Sequence, residues 1–380
     1  ATIAPMDSEE RYRALGCTVL RDSARFVAPD CLSVGGRRLT ARRIVIAAGS
    51  RPVIPAIPGL SAQPFLTNET LFLLPEKPEH LLILGGGPIG LEMGQAYAGL
   101  GCRVSVVQSG PIAAKEDPEL VAPLRSALRA DEVGIVEHAE VARTEPGPAL
   151  VLADGTRIAG SHLLIAVGRR PNLDDLGLDA GGISAGPGGI ATDRGLRSLT
   201  NRRVFAVGDI ADPEGLGPRA FTHAGGYHAS IVIRRALFRL PARLDYRAFP
   251  RVTYTDPELA QVGMTECQAR RAGHDPIVLR WQLADNDRAI AEGETAGLAK
   301  LVCARGRVLG AGLTGAHAGE AIGAWTLAIG RRIPLSALAG MIVPYPTRAE
   351  AAKRAAGTYY ESRLFSPGVR RLVRALALLP

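Results

Sequence analysis

The chain has 380 residues, is 47% hydrophobic and carries a net charge of +8, which is ordinary for a soluble globular protein of two or three domains. No apolar run approaches the ~18 residues of a membrane span, and no basic region followed by an apolar core opens the chain, so a cytoplasmic protein without membrane contact is expected. The positive charge does not mark a nucleic-acid binder: the arginines are scattered in pairs such as Arg37-Arg38 and Arg270-Arg271, only four lysines occur, and no basic stripe results.

Residues 6–16 read as the end of a helix. Short strands are expected at 17–20, 24–27, 31–34 and 42–49, punctuated by Pro29-Asp30 and Gly35-Gly36, a meander running into a buried strand. Residues 50–60, SRPVIPAIPGL, are too rich in proline for a helix and read as an extended crossover. Beyond Pro75 and Pro78 the order is strand 81–84, glycine-rich turn, helix 88–100, strand 102–107, helix 117–130, strand 133–136, hairpin 149–158 and strand 162–167. Strands alternating with helices predict parallel βαβ units and a doubly wound sheet. Residues 171–201 are loop-rich, and VFAVGD at 204–209 returns the chain to the first domain, followed by a helix at 219–240. From Phe249 the pattern changes to strands at 251–254, 277–282, 297–303 and 307–314 and helices at 317–330, 334–340 and 347–357, an α+β domain. The tail RRLVRALALLP has the spacing of a short amphipathic helix packed on the body.

The five cysteines, at 17, 31, 102, 267 and 303, include no pair within four residues. No local redox pair or zinc knuckle can be built from them, no metal site is expected, and they read as reduced structural thiols.

The chemistry begins at LLILGGGPIGLE, residues 81–92. An apolar strand leads into Gly85-x-Gly87-x-x-Gly90 and a helix follows, the context of a dinucleotide fingerprint. Gly85 permits the tight turn, Gly87 lets the backbone approach a pyrophosphate, Gly90 allows the helix to pack on the strand, and the helix N-terminus faces the phosphates. Pro88 and Ile89 complete the cofactor-binding loop. NAD sites place an acid about 20 residues on, at the end of the second strand; here that position is Gln108. A glutamine can bond a ribose hydroxyl without repelling a phosphate, so NADH and NADPH both stay open, with a tilt toward tolerance of NADPH. Gly208-Asp209 closes a second apolar strand; alone it is equally well an N-cap.

Seven segments, IVIAAGSRPVIPAIPG, LGGGPIGLE, IAVGRRPN, VFAVGD, FTHAGGYHA, VTYTDPELAQVGMTE and PYPTRAE, stand in the order seen in the class I pyridine nucleotide–disulfide oxidoreductases, and the chain resembles that family, its mercuric reductase-like and dihydrolipoamide dehydrogenase-like members above all. The resemblance implies an α/β protein with two Rossmann-like nucleotide-binding domains and a C-terminal α+β dimerisation domain. It divides the chain into a partial FAD-binding domain (1–78), an NAD(P)-binding domain (79–195), an FAD-binding return segment (196–248) and a dimerisation domain (249–380). It implies FAD and NAD(P)H as cofactors, a homodimer with shared active sites, and a small-molecule acceptor. Position by position, Ala48 and Gly49 lie by the FAD adenylate portion, Gly208 and Asp209 hold the pyrophosphate and ribityl chain, and Phe221, Thr222 and His223 approach the isoalloxazine. Gly168 borders the nicotinamide nucleotide, and Glu92 is the carboxylate near the nicotinamide, a position that also suits the first turn of a helix.

Three departures shape the expected chemistry. The family's N-terminal FAD loop and C-x4-C pair do not occur in these residues, so the chain reads as an N-terminally truncated flavoprotein, inactive as this fragment. Where the family carries a His-Pro acid/base with a following Glu, this chain has Tyr345-Pro346 and Glu350, and a tyrosine with an ordinary pKa near 10 is a poor base for a thiol. Mercuric reductases and soluble transhydrogenases are similar in carrying Tyr there. The tail lacks the vicinal cysteines by which mercuric reductases deliver a soft ion. The leading expectation is hydride transfer from NAD(P)H to flavin and on to a disulfide or thiol-bound acceptor. The alternatives are a soluble transhydrogenase and a non-catalytic dimeric nucleotide-binding protein.

Overall fold

The computed structural model describes residues 4–379. They form two compact units, one built from the residues up to Arg51 with Arg169–Leu244, the other from Pro52–Gly168 with Asp245 onward.

In the first unit a three-stranded antiparallel meander (Ala24–Ala28, Cys31–Val34, Arg37–Thr40) follows a short helix, Glu9–Ala14, capped by Ser8. The strand expected at 17–20 does not form. That stretch is largely exposed and has no partner strand, and the third place in the meander is taken by Arg37–Thr40. The latter was not legible because all four of its residues face solvent, so it lacks apolar alternation. The buried strand is shorter than expected, Ile44–Ile46, and runs parallel to Val204–Ala206. The helix that follows, Thr222–Ala236, buries Ala224, His228, Ile231 and Val232, one stripe at helical spacing.

The second unit opens with a layer of parallel strands, His80–Leu84, Arg103–Val107, Gly134–Val136 and His162–Ile165, in the spatial order fourth, first, second, third. Every residue of His80–Leu84 is buried, as the continuous apolar run of a parallel strand requires. The helices Pro88–Gly99 and Pro118–Ala130 form the crossovers, with Leu91, Leu120, Leu124 and Leu128 in the core beneath them. The later layer is a five-stranded antiparallel sheet, Pro250–Thr253, Glu258–Gly263, Arg307–Gly315, Leu298–Ala304 and Ile277–Gln282 in spatial order, covered by Ala318–Gly330 and Ala349–Leu364. The strand Glu258–Gly263 escaped the pattern because its apolar run is broken by Gln261, which is nevertheless buried. The helix Glu266–Arg271 carried a readable signal: Thr265 and Gln268 form a capping box at its start.

A buried cation joins these two layers within the unit. Lys300, only 3% exposed, projects from the antiparallel sheet. Its Nζ donates to Asp117 at 2.9 Å and to Glu119 at 2.7 Å, both at the start of helix Pro118–Ala130. Gln261 accepts from the Asp117 N–H at 2.9 Å, and Thr314 donates to the Leu120 carbonyl at 2.6 Å. Arg280 adds a two-pronged bond to Glu119. Burial works against the Lys300 ammonium, but the bonds to Asp117 and Glu119 outweigh it and its pKa is raised. The hydrogen bond from Arg280, reinforced by Lys300, holds the Glu119 carboxyl down at about 2.

Removing the ammonium strands Asp117, itself 4% exposed, without its counter-charge. Lys300→Met is therefore expected to destabilise this unit by about 3–5 kcal/mol, read as a lowered urea midpoint. Because Glu119 titrates lower in the folded chain than unfolded, its contribution is present above the ordinary value of 4.5 and is lost as pH falls toward about 2. Glu119→Gln should flatten the acid limb of the stability curve in that window.

Candidate functional site

In the first unit three distant segments meet. The strand Val204–Ala206 ends in Gly208, whose φ of +70° suits glycine. Its N–H donates to Nδ1 of His228 at 3.0 Å. His228 is fully buried, and burial pulls its pKa down to about 4 against the attraction of Asp209. The ring is thus neutral and offers Nδ1 as a lone pair. Asp209 Oδ2 accepts from the Ser50 hydroxyl at 2.5 Å and lies 3.8 Å from Nε of Arg169. Arg169 donates to the Ser50 hydroxyl at 2.7 Å and to its carbonyl at 2.6 Å.

The expected positions Ala48 and Gly49 are fixed by Asn172, which donates from its side chain to the Ala48 carbonyl at 2.8 Å and from its backbone to that of Gly49 at 3.0 Å. Arg51 bonds Asn172 and Asp174 in turn. Phe221, Thr222 and His223 open the helix Thr222–Ala236, with the Phe221 and His223 rings 5.3 Å apart. A Cβ on Gly225 would stand 4.0 Å from the Gly208 Cα, so the start of this helix lies against the Gly208 turn. Its N-cap, Phe221, has no side-chain oxygen with which to cap it, and the positive end of the helix favours an anion there.

In the second unit the glycine-rich turn behaves as its spacing predicts. A Cβ on Gly85 would lie 2.4 Å from the Ala166 carbonyl oxygen, and one on Gly90 1.9 Å from that of Gly85, so any larger residue would push the helix off the strand. At Gly87 a Cβ would meet nothing within 4 Å. Gly87 is also the N-cap of Pro88–Gly99, with Pro88 and Ile89 in the first turn. Gly168, at φ +133°, ends the neighbouring crossover, its carbonyl accepting from Val53 at 3.0 Å.

Two expected ligand contacts have structural partners. Gln108 Oε1 accepts from the Gly86 N–H at 2.7 Å, so its carbonyl end braces the turn. Glu92 accepts from the Tyr254 N–H at 2.9 Å, and burial raises its pKa against that bond. One turn on, Gln95 clasps Asp256 through both its N–H and its carbonyl and bonds Asp131. Glu92, Gln95, Asp131, Tyr254 and Asp256 line a cavity of about 470 Å³.

Tyr345 and Glu350 do not pair directly. The Tyr345 hydroxyl, on a side chain 70% exposed, donates to Asp287 at 2.9 Å. That bond, with the Asp287 charge behind it, raises the Tyr345 pKa further above its usual range. Glu350, in the first turn of Ala349–Leu364, faces Arg354 at 3.8 Å. The segment between them is held by Arg348, which pairs with Glu292 and Glu294. Of the cysteines, Cys31, Cys102 and Cys303 are buried, the last with its thiol pushed up to about 12 by burial, whereas Cys17 and Cys267 are exposed and have no packing role.

Sequence reading missed His228, Ser50 and Arg169 as members of the site. His228 was findable: it falls on the apolar stripe Ala224, Ile231, Val232, where a polar residue must find a buried partner. The partners of Ser50 and Arg169 lie more than 100 residues away in the chain and leave no local signal.

A parallel layer with a glycine-rich turn and an antiparallel sheet in the second unit, and a strand ending in Gly-Asp in the first, are the parts of a flavoprotein disulfide reductase fold. The family description "Pyridine nucleotide-disulphide oxidoreductase" matches residues 9–230, and its dimerisation domain matches 249–356. The chain belongs to the pyridine nucleotide–disulfide oxidoreductase family. It is 37% identical over 371 residues to a mercuric reductase of Streptomyces lividans, covering 92% of this chain and 76% of that one. It is 33% identical over 350 residues to a mercuric reductase of Lysinibacillus sphaericus, covering 90% of this chain but 63% of the relative's length. Among solved structures, the Cu(II) complex of the HOCl-induced flavoprotein disulfide reductase RclA from Escherichia coli superposes with a TM-score of 0.81 at 28% identity, over 89% of this chain and 78% of that one. No helix among the described residues is long and apolar enough to cross a membrane.

The His228 geometry makes an acid-stability prediction. With a folded pKa near 4 and an ordinary value of 6.5, the unfolded chain binds more protons between those limits. Stability is full above about pH 6.5 and falls by up to ~3 kcal/mol as pH drops to 4. His228→Gln, which can still accept from Gly208, should remove most of that slope in denaturation curves taken across the window.

Proposed function

We propose that the chain carries the nucleotide-binding machinery of an NAD(P)H-dependent flavoprotein oxidoreductase, the first unit holding FAD and the second the nicotinamide nucleotide. The observation that carries this reading is the glycine-rich turn. Gly85 and Gly90 are sterically compelled to be glycine by neighbouring backbone, whereas Gly87 is not and opens onto free space. Placed between a strand end and the N-terminus of helix Pro88–Gly99, that open side admits the close approach of a ligand's phosphate.

The residues of the first unit fit FAD. The start of the helix at Thr222 suits a phosphate, and Gly208 and Asp209 sit beside it with Asp209 oriented by Ser50 and Arg169. When bound, FAD supplies a two-electron acceptor for hydride and a donor to an onward acceptor. The protein's part is to hold the Asp209 carboxylate toward a hydroxyl of the cofactor, to present the amides at Thr222 and His223 to phosphate, and to keep the Gly208 turn rigid through His228. In the second unit Gly87, Pro88, Ile89 and Gly90 receive the pyrophosphate, Gly168 borders the nucleotide, and Glu92 lies near the nicotinamide.

The acceptor reading is mercuric reductase-like, transfer to a disulfide or thiol-bound acceptor, in a homodimer formed through the 249–380 domain. A second reading, transfer between two nicotinamides, is favoured by Tyr345. A phenol that donates a hydrogen bond to Asp287 and whose pKa is raised holds its proton, and is poorly suited to take one from a thiol.

The test uses the chain as it stands, by separate titrations with FAD and with each nicotinamide nucleotide. Asp209→Ala should weaken FAD binding about 10- to 100-fold, the loss of a charge-assisted bond, and leave NAD(P)H binding unchanged. Gly87→Val should do the reverse. Equal loss of both ligands in either variant, or no binding of either by the wild-type chain, would sink the assignment. Gln108→Glu keeps an acceptor for the Gly86 N–H, so the turn should survive while the added charge shifts preference from NADPH to NADH. An unchanged ratio of the two affinities would remove Gln108 from the ribose site.

A further inference from the structure

The tail helix Pro367–Leu376 was expected to pack on the body, and it does not. It has a well-formed start, with Ser366 accepting from Val369, and it touches Ala349–Leu364, yet it buries none of its residues. Val369, Leu372, Val373 and Leu376 fall at the spacing i, i+3, i+4, i+7, one apolar stripe. Leu372 and Val373 are each 56% exposed and Leu376 is 53% exposed. Leu364, Phe365, Leu378 and Leu379 flank the helix and are also exposed. The opposite face carries Arg370, Arg371 and Arg374, and residues 362–380 contain four arginines and no Asp or Glu.

An exposed apolar stripe of this kind is costly in water and marks a surface that is covered in use. The charge pattern selects what covers it. A second copy meeting the stripe helix to helix would cover the leucines and valines but leave the arginines on the opposite face without counter-charge, since residues 362–380 hold no acid. A negatively charged lipid surface satisfies both faces at once: the leucines and valines enter the acyl boundary while the arginines stay among anionic head groups. At ~15 Å the helix is too short to cross a ~30 Å hydrocarbon core, so it would lie in the interface. We infer that Pro367–Leu376 is a surface-lying anchor that docks this protein on anionic lipid. The expectation of no membrane contact rested on the lack of a membrane-spanning apolar run, a criterion that does not bear on a short helix lying in the interface. The inference does not depend on which acceptor the protein reduces.

The test is co-sedimentation of the chain with vesicles of phosphatidylglycerol and phosphatidylcholine, against vesicles of phosphatidylcholine alone, with sedimentation velocity run in parallel. Binding is expected only to the phosphatidylglycerol vesicles and should fade at ~1 M salt, where charges are screened beyond about 3 Å. Arg370→Gln, Arg371→Gln and Arg374→Gln should each weaken binding about five-fold, and the double variant Leu372→Glu/Leu376→Glu should abolish it while leaving FAD and NAD(P)H titrations unaltered. Equal binding to both vesicle types, or full binding by the double variant, overturns the inference. So does a wild-type chain that ignores vesicles; if the double variant then sediments with a lower mass than wild type, the stripe belongs to a contact between copies.

Discussion

The second unit depends on one buried positive charge. Lys300 has left water almost completely, a state that strongly disfavours an ammonium unless it is met by counter-charge and hydrogen bonds. Asp117 and Glu119 meet it, and both sit at the N-terminus of Pro118–Ala130, where negative charge is already favoured by the helix. One cation thereby satisfies three demands: it neutralises the carboxylates, it pins the crossover helix by its end, and it ties that helix to the antiparallel sheet. Gly312 shows how close the contact is, since a Cβ there would lie 2.1 Å from Leu120. Apolar packing alone would hold the layers together without fixing the register; the directional bonds to Lys300 and Thr314 fix it.

The two candidate nucleotide sites achieve rigidity by different means. At the glycine-rich turn it is steric: backbone packs on backbone at Gly85, Gly90 and Ala166, and Gln108 holds the amide of Gly86. At the Gly208 turn it is a chain of polar contacts, Arg169 to Ser50 to Asp209, with His228 behind. The first kind is indifferent to pH. The second requires a neutral imidazole at His228, and so it weakens in acid.

Much of this was legible in the sequence, for reasons that can be stated. The parallel strands and the fingerprint loop were readable because their constraints are local: a four-residue apolar run at 81–84, a glycine where a Cβ would strike the next turn. Elements whose stability comes from distant partners were not. Glu258–Gly263 hides behind Gln261, whose burial makes sense only once the Asp117 N–H is seen beside it. Arg37–Thr40 is exposed throughout and is held by pairing with its neighbour, not by an apolar face. For Gln108 and Glu92 the positions followed from the motif, but their backbone partners, Gly86 and Tyr254, did not, because hydrogen bonds to backbone carry no residue preference. The tail shows the converse: its periodicity was plain, while the surface that receives the stripe lies outside the chain.

The clasp of Ser50, Arg169 and Asp209, with Asn172 bracketing Ala48 and Gly49, has an evolutionary corollary. These residues come from three stretches separated by 37 to 159 positions of chain, taking Asn172 to Asp209 and Ser50 to Asp209 as the limits. Each depends on the others: Ser50 without Asp209 has no carboxylate to orient, and Arg169 without the Ser50 hydroxyl keeps only the backbone carbonyl there. Drift at one member is therefore penalised by the rest, and the three segments should behave as a single heritable character, conserved together or replaced together across the family.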